Sequence, residues 1–235
     1  MERRTIVVTR RLPGVPWDDL AKRFRAGDPP KEGTMPREGF LVRARGASGI
    51  LCTLADRVDA ELMDAAGPSL SVVSNFAVGV NNVDVAGATR RGIRVCNTPD
   101  VLTDATADLG FALLLSAARK VSAADRFVRA GGWTGWDPWG LLGVPVAGKT
   151  LGIVGMGKIG AAVARRSRGF SMKVLYHNRR RIPASEEAEL AASYRDLDAL
   201  LAESDFVVLC VPLTHETRGL LSTERLGRMK RTAVL

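Results

Sequence analysis

One stretch of the chain has the residue types and the spacing of a dinucleotide-binding turn. Residues 150–160 (TLGIVGMGKIG) run as an apolar strand into the pattern G-x-G-x-x-G, and a helical segment follows at once. In such a turn the first glycine permits a tight bend, the second lets the backbone approach a pyrophosphate, and the third lets helix and strand pack closely. Free amides at the helix start then face the phosphates. The alternative is a glycine-rich turn without a ligand. The candidate cofactor-binding residues here are Gly155, Gly157, Lys158, Ile159 and Gly160.

The end of the following strand indicates which dinucleotide is bound. An NAD site has a carboxylate about 20 residues after the glycines, where it accepts hydrogen bonds from the adenosine ribose. This sequence has Asn178 there, 21 positions after Gly157, and then Arg179, Arg180 and Arg181. Because a carboxylate would repel a 2′-phosphate, whereas arginine binds it with paired hydrogen bonds, the sequence favours NADP(H) over NAD(H). A solvated basic turn is the alternative for the three arginines.

A third strand ends at the same carboxyl edge, where ligands bind in open α/β sheets. Val211 and Pro212 close this strand, and Thr217 lies in the loop after it. His215 of that loop has no recognisable carboxylate partner, so the sequence favours a solvated histidine over a general acid. His177, just before Asn178, is interpreted as a neighbour of the adenine or as plain surface. Neither histidine is expected to be catalytic.

The rest of the chain alternates short β-branched segments with amphipathic helical ones, which is typical of parallel sheets covered by helices. The expected strands are Thr5–Thr9, Gly49–Thr53, Leu70–Ser74, Ile93–Cys96, Thr150–Val154, Lys173–Tyr176 and Phe206–Val211. The expected helices are Trp17–Arg25, Ala60–Ala66, Val83–Arg91, one long helix over about Ala105–Arg129, Ile159–Gly169 and Leu197–Ala202.

Two segments are predicted to be irregular. Residues Gly27–Glu38 are rich in proline, glycine and charge, which is typical of a surface loop. Residues Gly131–Gly148 are dense in glycine and contain Trp133, Trp136 and Trp139. This second segment is interpreted as a connecting loop pinned by aromatic packing, or else as a contact with a ligand or a second subunit, since tryptophan is enriched at interfaces.

Composition limits the function classes. The chain has 235 residues, 46% hydrophobic and 25% charged, which excludes disorder and a disulfide-dense scaffold. The longest nearly apolar run, Leu109–Ala118, is too short for a membrane helix, and the first residues lack an apolar signal core, so a cytoplasmic protein is expected. Three separated cysteines lie in apolar segments and predict reduced core residues rather than a metal site.

The net charge of +9 raises the possibility of nucleic-acid binding. The basic residues, 27 arginines and 7 lysines, are scattered along the whole chain without a basic tail or an interleaved aromatic pattern. A charge excess of this kind usually belongs to a solvated surface. We therefore expect neither a nucleic-acid partner nor a membrane partner.

Besides the glycine pattern, five further motifs are specific in combination: TRRLP (9–13), SNFAVGVNNVD (74–84), RGIRVCNTP (91–99), TDATAD (103–108) and VPLT (211–214). Through these motifs the sequence resembles the NAD(P)-dependent D-2-hydroxyacid dehydrogenases, most closely their glyoxylate/hydroxypyruvate reductase branch. The resemblance covers nearly the whole chain. It implies an α/β protein of two lobes: a flavodoxin-like substrate lobe over residues 1–98, and a Rossmann, doubly wound NAD(P)-binding lobe over residues 99–235, with the active site in the cleft.

Several site residues follow from this resemblance. The backbone amides of Val78 and Gly79 are expected to hold the substrate carboxylate, and Thr106 is expected near the cofactor. The long helix is expected to help form a homodimer. From its position at the end of a strand, Leu54 is a further candidate beside the substrate, together with Cys52 and Thr53.

The implied reaction is reversible hydride transfer between the nicotinamide and a small 2-oxo acid such as glyoxylate or hydroxypyruvate. In the family an Arg anchors the substrate, a His protonates the nascent alkoxide and a Glu supports that His. All three lie beyond the segment that corresponds to Leu235, so we expect a chain truncated at its C-terminus, with an incomplete nucleotide lobe and very slow or no turnover. The alternative from another class is a catalytically dead NAD(P)-binding module. The substrate's identity is left open.

Overall fold

The chain divides into two units, Met1–Val101 and Leu102–Leu235, each built of parallel strands that alternate with helices. The computed structural model describes residues 3–30 and 33–235. The division lies close to the boundary expected after residue 98. Among the described residues, no helix combines the length and the apolar character needed to cross a membrane.

Unit 1 has the flavodoxin-like strand order. The strands are β1 (Thr5–Val8), β2 (Arg25–Ala26), β3 (Gly49–Cys52), β4 (Val72–Asn75) and β5 (Arg94–Cys96). The helices are α1 (Trp17–Arg23), α2 (Arg37–Ala44), α3 (Ala60–Ala66) and α4 (Val85–Arg90). Over residues 3–30 and 33–101 the parallel sheet runs β2-β1-β3-β4-β5, which is the order 2-1-3-4-5. The sequence-based fold class of this unit is therefore confirmed.

Helix α2 corrects the prediction of a loop over Gly27–Glu38, because the last two residues of that segment are helical. Lys31 and Glu32, also in the segment, lie outside the described residues. Phe40 and Ala44 are one turn apart on α2 and both are buried against the sheet. Tertiary burial of this short apolar stripe outweighs the preceding proline- and glycine-rich residues.

Unit 2, all of whose residues are described, has a Rossmann-type sheet. The strands are β6 (Thr150–Val154), β7 (Lys173–His177), β8 (Ala192–Tyr194) and β9 (Phe206–Leu209). The helices are α5 (Thr103–Ala118), α6 (Val121–Arg129), α7 (Lys158–Ser167), α8 (Ala184–Leu190), α9 (Leu197–Glu203) and α10 (Thr223–Arg228). A 3₁₀ turn, Arg168–Phe170, follows α7. The strand order is β8-β7-β6-β9, in which β6, the first strand of the unit, is flanked on both sides. Val234 forms a parallel bridge with Phe206 of β9.

The long helix predicted over about Ala105–Arg129 is two helices. Lys120 lies between them in the left-handed conformation, with φ at 55°, and α6 begins at the next residue. The apolar pattern continues through this corner and no glycine or proline marks it, so the sequence did not reveal the break. A non-glycine residue in this region costs about 1–3 kcal/mol, which the surrounding packing must offset.

The tryptophan loop, residues 131–148, contains no helix or strand, as predicted. Packing of its tryptophans does not hold the loop in place, however, because these side chains are exposed: 52% for Trp133 and 82% for both Trp136 and Trp139. The loop is held instead by a hydrogen bond from the Val144 N–H to the Ala118 carbonyl, 2.8 Å, and by burial of Val146. The expected aromatic packing is therefore wrong within this unit, and large apolar side chains remain at the surface.

Candidate functional site

The glycine turn of unit 2 lies at the carboxyl end of β6. Strands β7 and β8 lie on one side of β6 and β9 lies on the other, so the strand order reverses between β6 and β9. Ligands of open α/β sheets bind outside the carboxyl ends at such a switch point. The N–H of Gly155 donates to the His177 carbonyl, 2.9 Å, and the N–H of Cys210 donates to the Val154 carbonyl, 2.8 Å. The ends of all three strands are thereby joined at one place.

The three glycines of the turn have different surroundings. Gly155 has φ at 102°, and a Cβ there would come within 2.7 Å of the Cys210 backbone. A Cβ on Gly160 would lie 2.2 Å from the Gly155 carbonyl oxygen, so helix α7 packs directly on the turn. Gly157 is exposed, and a Cβ there would meet nothing within 4 Å. The chain therefore needs Gly155 and Gly160 for its own packing, whereas the space beside Gly157 is open to a ligand.

Helix α7 begins at this open space. Gly157 is its N-cap residue and provides no side-chain cap, so the first backbone N–H groups, such as that of Ile159, have no partner within the helix. Lys158 is exposed and Ile159 is half-buried. N–H groups at a helix start, together with the helix dipole, favour a bound phosphate. The residues present thus fit the pyrophosphate of a dinucleotide.

Asn178 is tied to the turn through its side-chain oxygen. Oδ1 accepts a hydrogen bond of 2.7 Å from the N–H of Met156, the residue between the first two glycines. A backbone N–H can only donate, so the atom that faces it must be the amide oxygen rather than the nitrogen. The side chain is left with its Nδ2 donors, which suit an anion, and it lacks the negative charge that would repel one.

The three arginines after Asn178 are engaged differently. Arg181 donates twice to the Glu187 carboxylate, at 2.7 and 2.6 Å. Arg179 forms an ion pair with Glu216, 3.2 Å, in which both side chains are largely exposed. For Arg180, no hydrogen bond or ion pair is formed with the described part of the chain. Only Arg179 and Arg180 are consequently available to a new anionic partner at low cost.

The loop after β9 closes the other side of the switch point. Thr217 donates from its hydroxyl to the Pro212 carbonyl, 2.6 Å, and accepts from the Thr214 N–H, 2.8 Å. A Cβ on Gly155 would lie 2.9 Å from the Val211 side chain, which shows how closely this loop approaches the glycine turn. Thr217 therefore shapes the loop, and Val211 brings it against the turn.

Three other residues considered from the sequence lie apart from this geometry. Thr106 is exposed on α5, and the flanking Asp104 and Asp108 bind Arg166 near the C-terminal end of α7, away from the glycine turn. Its expected place near the cofactor remains a prediction. His177 is half-buried, with Nδ1 3.0 Å from the Arg195 carbonyl, and His215 lies exposed in the loop after β9. Neither histidine has a carboxylate partner among the described side chains.

In unit 1 a buried polar network lies at the carboxyl ends of β1 and β3. Oδ2 of Asp56, a residue 4% exposed, accepts from the Thr9 hydroxyl at 2.6 Å, from the Thr53 N–H at 2.8 Å and from the Thr53 hydroxyl at 3.0 Å. In a 2-1-3-4-5 sheet the strand order also reverses between β1 and β3. This network therefore fixes the backbone at the edge where a ligand of unit 1 is expected.

The network continues into the loop that carries Val78 and Gly79. The Asn75 side-chain amide donates to the Gly79 carbonyl, 2.8 Å, and the Asn97 amide donates to the Val78 carbonyl, 2.9 Å. Asn75 and Asn82 also pair through their amides, at 3.0 and 3.2 Å. Because both loop carbonyls are held by the protein, the peptide groups have a fixed orientation.

The N–H groups of this loop are available. Val78 and Gly79 are exposed, and within the described residues their N–H groups donate to no backbone or side-chain acceptor. Adjacent free N–H groups form a concave site for an anion. Leu54 is 54% exposed at the same edge of the sheet, whereas Cys52 is fully buried and Thr53 is bonded to Asp56. Of the three residues expected near the substrate at the end of β3, only Leu54 presents an exposed side chain.

The three cysteines differ in burial. Burial raises the pKa of the Cys52 thiol to about 12, and burial also raises the pKa of Cys210. Both thiols are therefore protonated at neutral pH and weakly reactive. Cys96 is exposed, contrary to the expectation that all three cysteines are core residues. Throughout residues 3–30 and 33–235, no cluster of three or more side chains suited to a metal is present.

Comparison with known proteins identifies the family. Residues 111–235 match the model of the D-isomer specific 2-hydroxyacid dehydrogenase, NAD binding domain. Glyoxylate reductase of Thermococcus kodakarensis is 50% identical over 99% of this chain and 71% of its own length. The chain belongs to the D-isomer specific 2-hydroxyacid dehydrogenases.

Solved structures agree with this assignment. The TT0316 protein from Thermus thermophilus is 45% identical to this chain and superimposes with a TM-score of 0.88. The match covers 98% of this chain and 72% of the TT0316 chain. A glyoxylate reductase from Paecilomyes thermophila is 33% identical, with a TM-score of 0.84 over 98% and 71%. The α/β class, the parallel sheets and the nucleotide-binding unit are thereby confirmed.

Sequence reasoning missed the residues that support the dehydrogenase's two loops. Asp56, Asn75 and Asn82 form the network beneath Val78 and Gly79, and Glu187 binds Arg181. Asn75 ends β4, and Asn82 and Asp56 lie in the loops after β4 and β3, which is a usable signal for polar residues at a carboxyl edge. Glu187 gave no signal of this kind, because its partner lies across a turn whose shape the sequence does not specify.

Proposed function

We propose that this dehydrogenase binds NADP(H) in preference to NAD(H) on unit 2 and acts on a small 2-oxo acid, such as glyoxylate or hydroxypyruvate, held through its carboxylate on unit 1. The coenzyme preference is carried by one observation: the Asn178 oxygen accepts from the Met156 N–H, which leaves an uncharged side chain with its Nδ2 donors at this position. The carboxylate that an NAD site uses to bind the ribose hydroxyls is absent from this position. A 2′-phosphate needs donors, which Asn178 Nδ2 and the neighbouring arginines offer.

The chain's own residues perform three tasks in this proposal. N–H groups at the start of α7 bind the pyrophosphate, while Val211, Pro212 and Thr217 border the same turn. The N–H groups of Val78 and Gly79 bind the substrate carboxylate. When bound, the reduced nicotinamide supplies the hydride for the carbonyl carbon. The glyoxylate reductases among the relatives support the choice of substrate class.

Proton transfer lacks its expected group, because no histidine among the described residues has a carboxylate partner. The resemblance implies a histidine supported by a carboxylate, yet His177 is bonded to the Arg195 carbonyl and His215 is solvated on a turn. We therefore propose that this chain binds coenzyme with very slow or no turnover. This behaviour is also that of the alternative function, a catalytically inactive NAD(P)-binding module.

A homodimer is the further part of the proposal. The tryptophan loop and helices α5 and α6 expose many large apolar side chains on unit 2, more than a solvated surface usually presents in one region. We commit to a second copy of the chain as the partner that covers them. These side chains are Leu109, Leu113, Val121, Phe127, Val128, Trp133, Trp136 and Trp139.

Binding and turnover of the 235-residue chain test the proposal. Fluorescence titration should give a Kd for NADPH at least about tenfold below that for NADH. One charge-assisted contact with the 2′-phosphate accounts for a difference in affinity of this size. An assay of NADPH oxidation with glyoxylate should give almost no rate. Equal or tighter NADH binding would overturn the coenzyme preference. A rate within about tenfold of that of a full-length relative would overturn the expected inactivity, since tenfold in rate is only about 1.4 kcal/mol in activation free energy.

A further inference from the structure

The connection between β7 and α8 is fastened at both ends. At its start Asn178 accepts from the Met156 N–H, 2.7 Å. At its end Arg181 donates from Nε and Nη2 to the Glu187 carboxylate, at 2.7 and 2.6 Å, and the Ile182 N–H donates to the Tyr176 hydroxyl, 3.1 Å. Arg179 and Arg180 lie between these two fastenings. The backbone position of both arginines is therefore set by contacts of the residues on either side of them.

Glu187 is the centre of the second fastening. Its carboxylate accepts the Arg181 fork and also the Tyr176 hydroxyl, 2.6 Å from Oε1. The Glu187 side chain is 11% exposed, although Arg181 is 66% exposed. Hydrogen bonds from Arg181 and then Tyr176 lower the pKa of Glu187 to about 2, so its charge is retained at neutral pH. A fixed anion thus lies beside Arg181 and neutralises it.

This pairing divides the three arginines. Arg181 could reach a phosphate only by giving up a bidentate bond and leaving a poorly hydrated carboxylate behind, which is costly. Arg179 would give up an exposed pair with Glu216, which is worth little in water. Arg180 has no partner to give up in the described part of the chain. The cost of rearrangement therefore favours Arg179 and Arg180 over Arg181 as phosphate ligands.

We propose that Glu187 is a positioning residue for coenzyme choice: by holding Arg181 and Tyr176, it fixes the loop so that Arg179 and Arg180 face the 2′-phosphate. This inference rests on the proposed NADP(H) preference and extends it. Glu187 and Arg181 do not touch the coenzyme in this account. Arg181, one of the three residues expected to bind the phosphate, becomes part of the support.

The test compares E187Q with E189Q in the 235-residue chain, using NADPH and NADH as probes. Glu189 lies on the same helix and pairs with Arg165 of α7, 3.0 Å, away from the loop, so E189Q removes an equivalent charge without touching the support. E187Q should raise the Kd of NADPH about fivefold to twentyfold and leave that of NADH within about twofold, because only the phosphate contacts depend on the loop. E189Q should change neither.

The direction of the change decides between the two roles of Arg181. If Arg181 were itself a phosphate ligand restrained by Glu187, E187Q would release it and NADPH would bind equally or more tightly, which overturns the proposal. Should E187Q fail to fold, Y176F removes only the bridging hydroxyl of a fully buried ring and should raise the NADPH Kd about twofold to fivefold. An unchanged Kd in Y176F would then overturn it.

The wild-type chain separates this inference from the proposed function. A wild-type preference for NADPH together with an unaltered E187Q overturns the role of Glu187 alone. A wild-type chain that binds NADH as tightly as NADPH overturns the coenzyme preference, and the role of Glu187 with it.

Discussion

The side-chain oxygen of Asn178 and the N–H of Met156, 2.7 Å apart, join the end of β7 to the glycine turn after β6. Two neighbouring strand ends are thereby held as one surface. The position where an NAD site has a carboxylate is here both a structural link and a supply of donors, so its substitution should change coenzyme choice more than folding.

We expect N178D to shift binding toward NADH. An aspartate can still accept from Met156 and can also accept from ribose hydroxyls, but it repels a 2′-phosphate. The Kd of NADPH should rise about tenfold or more, corresponding to about 1.4 kcal/mol or more, while the Kd of NADH falls. Fluorescence titration measures both. N81D, at an exposed position in unit 1, adds the same charge and should alter neither value.

Two glycines of one turn should respond to alanine in opposite ways. G160A places a Cβ against the Gly155 carbonyl at 2.2 Å and should lower the free energy of unfolding by about 1–3 kcal/mol. G157A meets nothing within 4 Å and should leave stability within about 0.5 kcal/mol, yet weaken coenzyme binding by filling the open space. Urea unfolding and coenzyme titration separate the two effects. A stable G157A with undiminished binding would argue against a ligand beside Gly157.

Asp56 should prove important for the stability of unit 1. Asp56 is a buried acceptor of three hydrogen bonds, two of them from Thr53. D56N removes its charge and places an NH₂ group, itself a donor, beside the donor groups of Thr9 and Thr53. We expect a loss of about 1.5–3 kcal/mol in the free energy of unfolding, measured by urea denaturation. D18N, on the exposed start of α1, is the control and should have almost no effect. A D56N chain as stable as wild type would mean that the network is dispensable.

The Glu187 carboxylate should leave a signature in acid. Its folded pKa of about 2 lies below the ordinary value of 4.5, so its contribution to stability is fully present above about pH 4.5 and is lost as the pH falls toward 2. The difference in unfolding free energy between wild type and E187Q should therefore be constant from pH 7 to about 5 and shrink from pH 4.5 to 2.5. Urea melts at several pH values measure it. A difference that stays constant down to pH 2.5 would contradict the assignment.

The exposed tryptophans should control association. Light scattering should give twice the chain mass of 25.2 kDa for wild type at micromolar concentration. The double variant W136A and W139A should shift toward monomer, because both side chains are 82% exposed within one copy and contribute little to its packing. Its unfolding at low protein concentration should match that of wild type. A monomeric wild-type chain would remove the basis for the proposed dimer.

The alternation of strands and helices was readable because buried parallel strands such as β6 and β9 are continuous apolar runs bounded by turns. Strand β8 and helix α8 were missed because each is short and neither has a strong pattern of its own. Tertiary contacts create them: Leu190 of α8 and Ala192 of β8 are buried in the unit 2 core. The corner at Lys120 was missed for the converse reason, since its sequence continues a helix.

The glycine turn could be located from spacing alone, but the roles of its neighbours could not. Whether Asn178 faces a ligand or the Met156 N–H depends on how closely β7 approaches the turn, and no sequence pattern reports that distance. The same holds for Arg181, which in sequence is one of three equivalent arginines and in the structure is bound to Glu187.

The loop of Val78 and Gly79 has its carbonyls held by Asn97 and Asn75. Its conformational entropy is therefore lost when the chain folds, and an incoming acid need not order it. For a very small substrate this matters greatly, since so few atoms can contribute to affinity. In the proposed site such a molecule gains most from a surface that is already rigid, so Asn75, which is not proposed to contact it, should matter for recognition as much as the amides of Val78 and Gly79.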